Sequence, residues 1–225
     1  MNNLKVLYED NHIIVVVKPV NILSQSDITG DIDMLTIIKN YLKEKYHKPG
    51  NVYLGLVHRL DRVVGGVMVF AKTSKAASRL SESIRKNDFH KEYLAICRGK
   101  VNNHDTFMDY LKKTDDFSTK VVDKDSGKLS ELSYDLVDYH NKLDLSMVKV
   151  HLKTGRHHQI RVQFASRNHP LIGDNRYGKD KEDKIGLFAY QLSFSHPVKK
   201  ENMTFTFFPT EYPFSLFNIK NIDTK

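Results

Sequence analysis

One short segment concentrates polar groups between apolar runs. Residues 55–66, "GLVHRLDRVVGG", place His58, Arg59, Asp61 and Arg62 within five positions, ahead of a Gly-Gly pair. The apolar flanks predict a strand on each side and a loop between them. A carboxylate in such surroundings is unfavourable unless it is paired, and a neighbouring arginine keeps it ionised. A fixed, ionised and partly desolvated carboxylate can act as a nucleophile or as a base.

A second charged segment offers partners for that carboxylate. Residues 154–161, "TGRHHQIR", contain Arg156 and Arg161. Either arginine, or a neighbour of Asp61 in its own loop, could form the ion pair. The pattern of residues leaves two interpretations open, a catalytic aspartate and an ion pair that only fixes a turn. The local sequence offers no second carboxylate beside Asp61, whereas ordinary glycoside hydrolysis uses two.

Composition restricts the class of protein. The chain has 225 residues, 40% of them hydrophobic and 28% charged, which is typical of a globular protein. A net charge of +8 favours a polyanionic partner, nucleic acid first, although it also fits simple solubility. The single cysteine excludes an intrachain disulfide and predicts a cytoplasmic location. The run Ile13–Val17 is too short to cross a membrane, and a monomer is the default expectation.

Several kinds of site are not indicated. No glycine-rich dinucleotide or phosphate-binding motif is present, and no histidine pair has the H-E-x-x-H spacing. His157 and His158 would diverge by about 100° on a helix, which makes them poor ligands for one metal ion. We expect them to be exposed or hydrogen-bonded. Cys97 lies in an apolar strand and should be inert. We therefore predict neither a cofactor nor a metal.

The pattern of elements predicts an α+β fold with a mixed, largely antiparallel central sheet flanked by helices and loops. Helices are predicted over 33–47, with Leu35, Ile38 and Leu42 on one face, over 75–87 after a Ser74 cap, and from about His157. Strands are predicted over 12–19, 91–99, 132–152 in two runs that join near Asn141, 188–197 and 203–209. The charged segment 178–184 is predicted to be a solvated loop.

At this point the sequence resembles a known family, the RluA-like pseudouridine synthases. "HRLDRVVGG" is similar to the family's H-R-L-D-x-x-T-S-G segment. Five further blocks follow the family order between about residue 8 and residue 209: "DNHIIVVVKPVNILSQSD", "KEYLAICRG", "LKTGRHHQIRVQFA", "HPLIGDNRYG" and "LFAYQLSFSHP". The resemblance covers nearly the whole chain and implies the pseudouridine synthase catalytic fold.

The resemblance implies roles for individual residues. Asp61 would be the catalytic aspartate, Arg161 its ion-pair partner across the site, and Tyr93 the ring that stacks on the target uracil. Arg59 would enter the RNA where the flipped nucleotide has left. The residues expected to contact RNA or substrate are Lys18, His58, Arg59, Arg62, Arg156 and Ile160. Within the "HPLIGDNRYG" block, Gly173, Asp174 and Tyr177 are expected to form a turn rather than to touch substrate.

The implied activity is the isomerisation of specific uridines to pseudouridine in structured rRNA or tRNA. The uracil is both leaving group and incoming nucleophile, so neither a cofactor nor a second substrate is required. The target base must be flipped out of its stack first. Residues 1–225 would form a single catalytic domain without the N-terminal S4 domain that many family members carry.

Departures from the family pattern keep alternatives open. Val64-Gly65 stands where the family has Thr-Ser, and Asn21 replaces a turn glycine, although asparagine tolerates a positive φ. His157, Gln163 and Phe188 also differ from the usual residues. One alternative is an RNA-binding or assembly protein of the same fold with weakened catalysis. The other is a hydrolase that acts on nucleosides or RNA through Asp61.

Overall fold

The computed structural model describes residues 4–178, 182, 184–219 and 222. The chain divides into two compact units, which we call unit 1 (residues 1–90 and 189–207) and unit 2 (residues 91–188 and 208–225). The prediction of a single catalytic domain stays a prediction. Most of the predicted charged loop 178–184 lies outside the described residues.

Strands dominate the described part of the chain. The strands are β1 Lys5–Glu9, β2 Ile13–Lys18, β3 Gly55–Leu56, β4 Gly65–Ala71, β5 Phe89–Arg98, β6 His104–Lys113, β7 Thr119–Val122, β8 Lys128–His140, β9 Leu145–Leu152, β10 Leu187–Ser195 and β11 Asn202–Thr206. The helices are α1 Met34–Lys45, α2 Ser74–Arg85 and α3 Gln159–Ala165, with short 3-10 turns at Lys124–Ser126 and Phe214–Leu216. The fold class is α+β with mostly antiparallel strands, as predicted. Among the described residues, no helix combines the length and apolar character needed to cross a membrane.

Unit 1 is built on buried apolar strands. β1 pairs antiparallel with β2, and β2 pairs antiparallel with β4, from Ile13 opposite Ala71 to Lys18 opposite Gly66. Every residue of β2 and β4 is buried, because the strands carry continuous apolar runs rather than an alternating pattern. β3 also pairs with β4, and β10 pairs with β11. Ala76 and Leu80 of α2 are fully buried in this core.

Unit 2 is an antiparallel arrangement in which β9 pairs with β5 and β8, and β6 pairs with β8 and β7. Its core includes a cluster of three aromatic rings, Phe107, Tyr134 and Phe164, with ring centroids 5.0 to 5.3 Å apart. Phe164 comes from α3, whose residues 159–164 are all buried. Packing rather than length therefore stabilises this seven-residue helix.

Most predicted elements are present, and their ends differ. β2, β5, the β8–β9 pair around Asn141, β10 and β11 are confirmed. β1 has no counterpart in the prediction. The buried face of α1 is Met34, Ile38 and Leu42 rather than Leu35, Ile38 and Leu42.

The two helix starts that we predicted in detail are wrong by one or two residues. The N-cap of α2 is Thr73, not Ser74, because the Thr73 hydroxyl accepts a hydrogen bond from the Ala76 N–H at 3.2 Å. Helix α3 begins at Gln159, not His157, because His158 has a left-handed backbone with φ of 52° and ψ of 22°. A helix cannot include a residue in that conformation.

Candidate active site

The loop between β3 and β4 carries Asp61 and is fixed to unit 1 through its backbone. Asp61 itself is half-buried. The Ser24 hydroxyl donates to the Leu60 carbonyl at 2.8 Å and accepts from the Leu60 N–H at 3.1 Å. The Val64 N–H donates to the Asp61 carbonyl at 3.0 Å and closes a turn. These bonds restrain the aspartate from both sides of the chain.

Two further donors converge on the next carbonyl of the loop. The Lys18 ammonium donates to the Arg62 carbonyl at 3.1 Å and to the Pro19 carbonyl at 2.9 Å. The Asn21 N–H donates to the same Arg62 carbonyl at 2.8 Å. Asn21 has a φ of 64°, so the turn that normally uses glycine is retained, as predicted. Backbone bonds thus brace this loop although Val64-Gly65 lacks the family's hydroxyls.

Lys18 is a fully buried cation beside this loop. The pKa of Lys18 is lowered to about 7, chiefly by burial; the negative charge of Asp61 raises it in part, and the positive charge of Arg62 lowers it. The negative charge of Asp61 therefore favours the protonated form of Lys18. The hydrogen bonds of Lys18 to the Pro19 and Arg62 carbonyls hold the loop backbone in place.

The other predicted residues of the loop have distinct environments. His58 is buried, its Nε2 accepts from the Val69 N–H at 3.1 Å, and its ring packs edge-on against Phe89. This arrangement suits a residue that orients the loop. Arg59 is exposed. Arg62 forms an exposed ion pair with Asp31 at 2.7 Å, a pairing that the sequence did not indicate.

Unit 2 carries Tyr93 and Arg161. Tyr93 is buried on β5, opposite Val150 of β9. Arg161 is buried on α3 and makes a bidentate ion pair with Asp174, through Nε and Nη2 at 2.8 Å each. Asp174 is 1% exposed and also accepts from the N–H groups of Arg176 and Tyr177. It closes the predicted turn and holds the guanidinium at the same time.

The sequence motifs indicate Arg161 but do not indicate Asp174 as its partner. The signal was present in the "HPLIGDNRYG" block, where Asp174 was assigned only to a turn. The guanidinium of Arg161 also lies over the Tyr177 ring, 5.2 Å from its centroid. A planar arginine held on two sides in this way has little freedom to move. That Arg161 additionally pairs with Asp61 stays a prediction.

The segment before α3 is ordered by a hydrogen-bond network. The rings of His157 and His158 stack with centroids 3.7 Å apart, because the left-handed backbone of His158 turns the two side chains parallel. His157 Nδ1 bonds to the Thr119 hydroxyl at 3.0 Å, and His158 Nδ1 bonds to the Tyr177 hydroxyl at 2.8 Å. The expectation that they are hydrogen-bonded is confirmed, whereas the expected divergence of about 100° is wrong.

His158 is neutral in this network. Burial, together with the charges of Arg161 and His157, lowers the pKa of His158 to about 2. The Thr119 N–H also donates to the Tyr177 hydroxyl at 2.8 Å. These contacts connect β7 to the residues that surround Arg161. The prediction of no metal and no cofactor stays an expectation.

Gln159 fixes the remaining part of the segment. Its side-chain oxygen accepts from the Thr154 hydroxyl at 2.8 Å and from the Arg156 N–H at 3.0 Å. Its amide nitrogen donates to the Glu131 carbonyl at 3.1 Å. Arg156 is exposed, and its Nε donates to the Leu129 carbonyl at 3.2 Å. Ile160 is buried beside Arg161.

The nine predicted site residues are distributed over both units. Unit 1 contains Lys18, His58, Arg59, Asp61 and Arg62, of which Lys18 contacts the Arg62 carbonyl directly. Unit 2 contains Tyr93, Arg156, Ile160 and Arg161. Ser24 and Asp174 are supporting residues that the sequence analysis missed. The assembly of Asp61, Tyr93 and Arg161 into one catalytic centre stays a prediction.

Comparison with known proteins identifies the class. A family model described as RNA pseudouridylate synthase matches residues 12–166, which include Asp61, Tyr93 and Arg161. An uncharacterised RNA pseudouridine synthase of Aquifex aeolicus is 32% identical over 222 residues, covering 90% of this chain and 68% of the relative. Ribosomal large subunit pseudouridine synthase C of Buchnera aphidicola subsp. Baizongia pistaciae is 32% identical over 243 residues, covering 98% and 71%.

The chain therefore belongs to the RNA pseudouridylate synthase family, a class of isomerases. It spans about two thirds of the length of these relatives. Among solved structures, human RNA pseudouridylate synthase domain containing 4 matches with a TM-score of 0.75 at 20% identity, covering 91% of this chain and 88% of that one. Human RNA pseudouridylate synthase domain containing 1 matches with a TM-score of 0.73 at 21% identity. These structural likenesses support the fold.

Proposed function

We propose that this protein isomerises specific uridines in structured RNA to pseudouridine, with Asp61 as the catalytic carboxylate. The observation that carries the proposal is the family match over residues 12–166, a range that includes Asp61, Tyr93 and Arg161. Ribosomal RNA is the favoured substrate, with transfer RNA as the alternative, because relatives from Buchnera and Yersinia pestis are named ribosomal large subunit pseudouridine synthases C and D. Cytoplasmic location and a monomeric state remain predictions.

The reaction needs no external reactant. The bond between N1 of uracil and C1′ of ribose breaks, the uracil rotates, and C5 bonds to C1′. The proton that C5 carries moves to a base, and N1 gains a proton. In this proposal Asp61 reacts at the sugar or ring, Tyr93 stacks on the uracil, and Arg161 forms an ion pair with the carboxylate. Arg59, exposed in the same loop as Asp61, occupies the space that the flipped nucleotide leaves.

The structure of the loop supports a preorganised carboxylate. Ser24 and Lys18 hold the backbone of Leu60 and Arg62, on either side of Asp61. None of these bonds uses the Asp61 side chain. An Asp61→Asn variant therefore retains them and should fold, so a loss of activity reports on the carboxylate.

The test maps pseudouridine at single-nucleotide resolution in total RNA from cells with and without the gene. We expect one or a few sites to disappear without it. Wild type should restore them, Asp61→Asn should not, and Asp115→Asn, an exposed aspartate at another loop, should restore them fully. A purified Asp61→Asn protein should lose at least about 10³-fold in single-turnover rate.

Two outcomes would contradict the proposal. If no site changes while the purified protein binds RNA, the alternative of a catalytically weakened RNA-binding protein leads. If free uracil or cleaved strands appear instead, the hydrolase alternative leads.

A further inference from the structure

Unit 2 contains a cavity that is lined by more cations than carboxylates. The cavity measures about 450 Å³ and lies between the β6–β7 hairpin, the start of β8 and the segment before α3. Its charged lining consists of Lys112, Lys113, Lys128, Arg156 and Asp125. Within the described part of the chain, none of the four cations forms an ion pair with a carboxylate. We call this feature the unit 2 basic pocket.

The positions of these cations are partly fixed. The Lys113 ammonium lies over the Phe117 ring, 4.7 Å from its centroid. The Nε of Arg156 donates to the Leu129 carbonyl, and its Nη groups make no hydrogen bond to other described residues. The planar fork of an arginine held at Nε suits a phosphate.

A fifth cation lies behind the pocket wall. Gly155 lines the pocket, and a Cβ at this position would lie 3.2 Å from the Lys91 ammonium. Burial lowers the pKa of Lys91, and no described carboxylate pairs with it to offset that effect. The absence of a side chain at Gly155 leaves this ammonium close to the wall. In its protonated form, Lys91 adds to the positive field that the lining residues produce at the pocket.

The larger cavity of unit 1 does not share this character. It measures about 680 Å³. Its lining has three cations, Arg79, Lys86 and Lys200, against the two carboxylates Glu82 and Asp88, and Lys86 pairs with Glu82 at 2.9 Å. The smaller cavity of unit 2 is therefore the better candidate for binding an anion, because its lining has the larger excess of positive charge.

We propose that the unit 2 basic pocket binds phosphate groups of the RNA strand that carries the target uridine. This inference rests on the proposed function for the identity of the polyanion. The pocket belongs to the same segment as Arg161, since Arg156 and His157 precede α3 directly. A strand whose phosphates lie in the pocket is held at the entry to that helix. Backbone contacts of this kind position RNA without reading its sequence.

The test compares a pocket variant with a charge-matched control. The pocket variant carries Lys112→Gln, Lys113→Gln and Lys128→Gln, and retains Arg156 because its Nε supports the Leu129 carbonyl. The control carries Lys39→Gln, Lys43→Gln and Lys142→Gln, three exposed lysines elsewhere. Both variants lose three positive charges from exposed positions, so both should fold, and thermal unfolding checks this.

The probe is a fluorescein-labelled 12-nucleotide oligouridylate, and its dissociation constant is measured by anisotropy at a series of KCl concentrations. Each phosphate contact contributes about 0.7 to the slope of log K against log salt for a single strand. The pocket variant should therefore lose about 2 from the slope and bind about tenfold or more weakly at 100 mM KCl. The control should keep the wild-type slope.

Equal slopes for the pocket variant and wild type would overturn the proposal, and so would failure of wild type to bind the oligonucleotide at 50 mM KCl. Failure of the proposed function has a different signature, because wild type would then bind RNA and form no pseudouridine. If the pocket is correct and the function holds, single-turnover pseudouridine formation by the pocket variant should need more RNA to saturate. The rate at saturation should stay near the wild-type value, since no pocket lysine belongs to the proposed catalytic set.

Discussion

At the scale of single residues, two buried cations are stabilised in different ways. Arg161 is paired with the carboxylate of Asp174 through two hydrogen bonds of 2.8 Å. Lys18 bonds instead to two neutral carbonyls, with only the more distant charge of Asp61 in its favour. A carbonyl compensates the lost hydration of an ammonium less fully than a carboxylate does. Lys18 is therefore a buried group that titrates close to neutral pH.

The first prediction concerns stability against pH. Because the pKa of Lys18 is about 7 in the folded protein and near 10.5 when unfolded, the unfolded chain binds the additional proton between these values. The free energy of unfolding of wild type should then rise, relative to that of Lys18→Met, by up to ~1.4 kcal/mol per pH unit above pH 7. Below pH 7 the difference between the two proteins should level off.

Urea unfolding of both proteins at intervals from pH 6 to pH 10 provides the measurement. All other titrating groups are shared, so they cancel in the difference. Lys142→Met, at an exposed position, is the matched control and should show no dependence of the difference on pH. A constant difference for Lys18→Met would mean that Lys18 stays charged in the fold.

At the scale of elements, the sequence pattern predicts that a helix is present but does not predict its exact first residue. Thr73 and Ser74 are adjacent and chemically similar, and both are suitable N-caps. The structure selects Thr73, whose backbone is extended at φ of −138° and ψ of 151°, while Ser74 is the first helical residue. The connection from β4 fixes that backbone, which a propensity scale does not contain.

The second prediction distinguishes the two capping residues. Thr73→Ala should lower the free energy of unfolding by about 1 kcal/mol, because the Ala76 N–H loses its acceptor. Ser74→Ala should change it by less than about 0.5 kcal/mol. Urea unfolding at one pH measures both. If Ser74→Ala proved the more destabilising, the cap would lie where the sequence alone had placed it.

At the scale of the whole molecule, the single cysteine reports on opening of the fold. Cys97 is 0% exposed near the end of β5, and burial raises the pKa of its thiol to about 12. Cys97 lies opposite Ser146 in the β5–β9 pairing, and it also forms an isolated antiparallel bridge with Leu171. The prediction of an inert core thiol is confirmed in its burial, so a thiol reagent can reach it only when unit 2 opens.

The third prediction uses that protection. Ellman's reagent should label native Cys97 at least about 10³-fold more slowly than an unfolded thiol, with a rate that rises with urea as the open state becomes populated. Asn141→Cys in a Cys97→Ser background places the thiol in an exposed turn and should react at once. Rapid labelling of wild type in native buffer would show that β5 is accessible without global unfolding.

The sequence by itself determined the features that depend on local composition. Continuous apolar runs specify β2, β4 and the centre of β5, because such segments must be buried whatever surrounds them. The same reasoning located Asp61 in a loop between two apolar strands, and the family motifs selected Asp61, Tyr93 and Arg161. The α+β class followed from the order and spacing of the runs.

The tertiary structure decided which groups meet. Ser24 reaches Leu60 across 36 positions, Lys18 reaches the Arg62 carbonyl across 44, and Arg161 reaches Asp174 across 13. The sequence shows that a buried polar group requires a partner. Leaving a neutral group unpaired costs about 1–3 kcal/mol, and leaving a charge unpaired costs more. The sequence does not show which partner, because that choice depends on how distant segments pack.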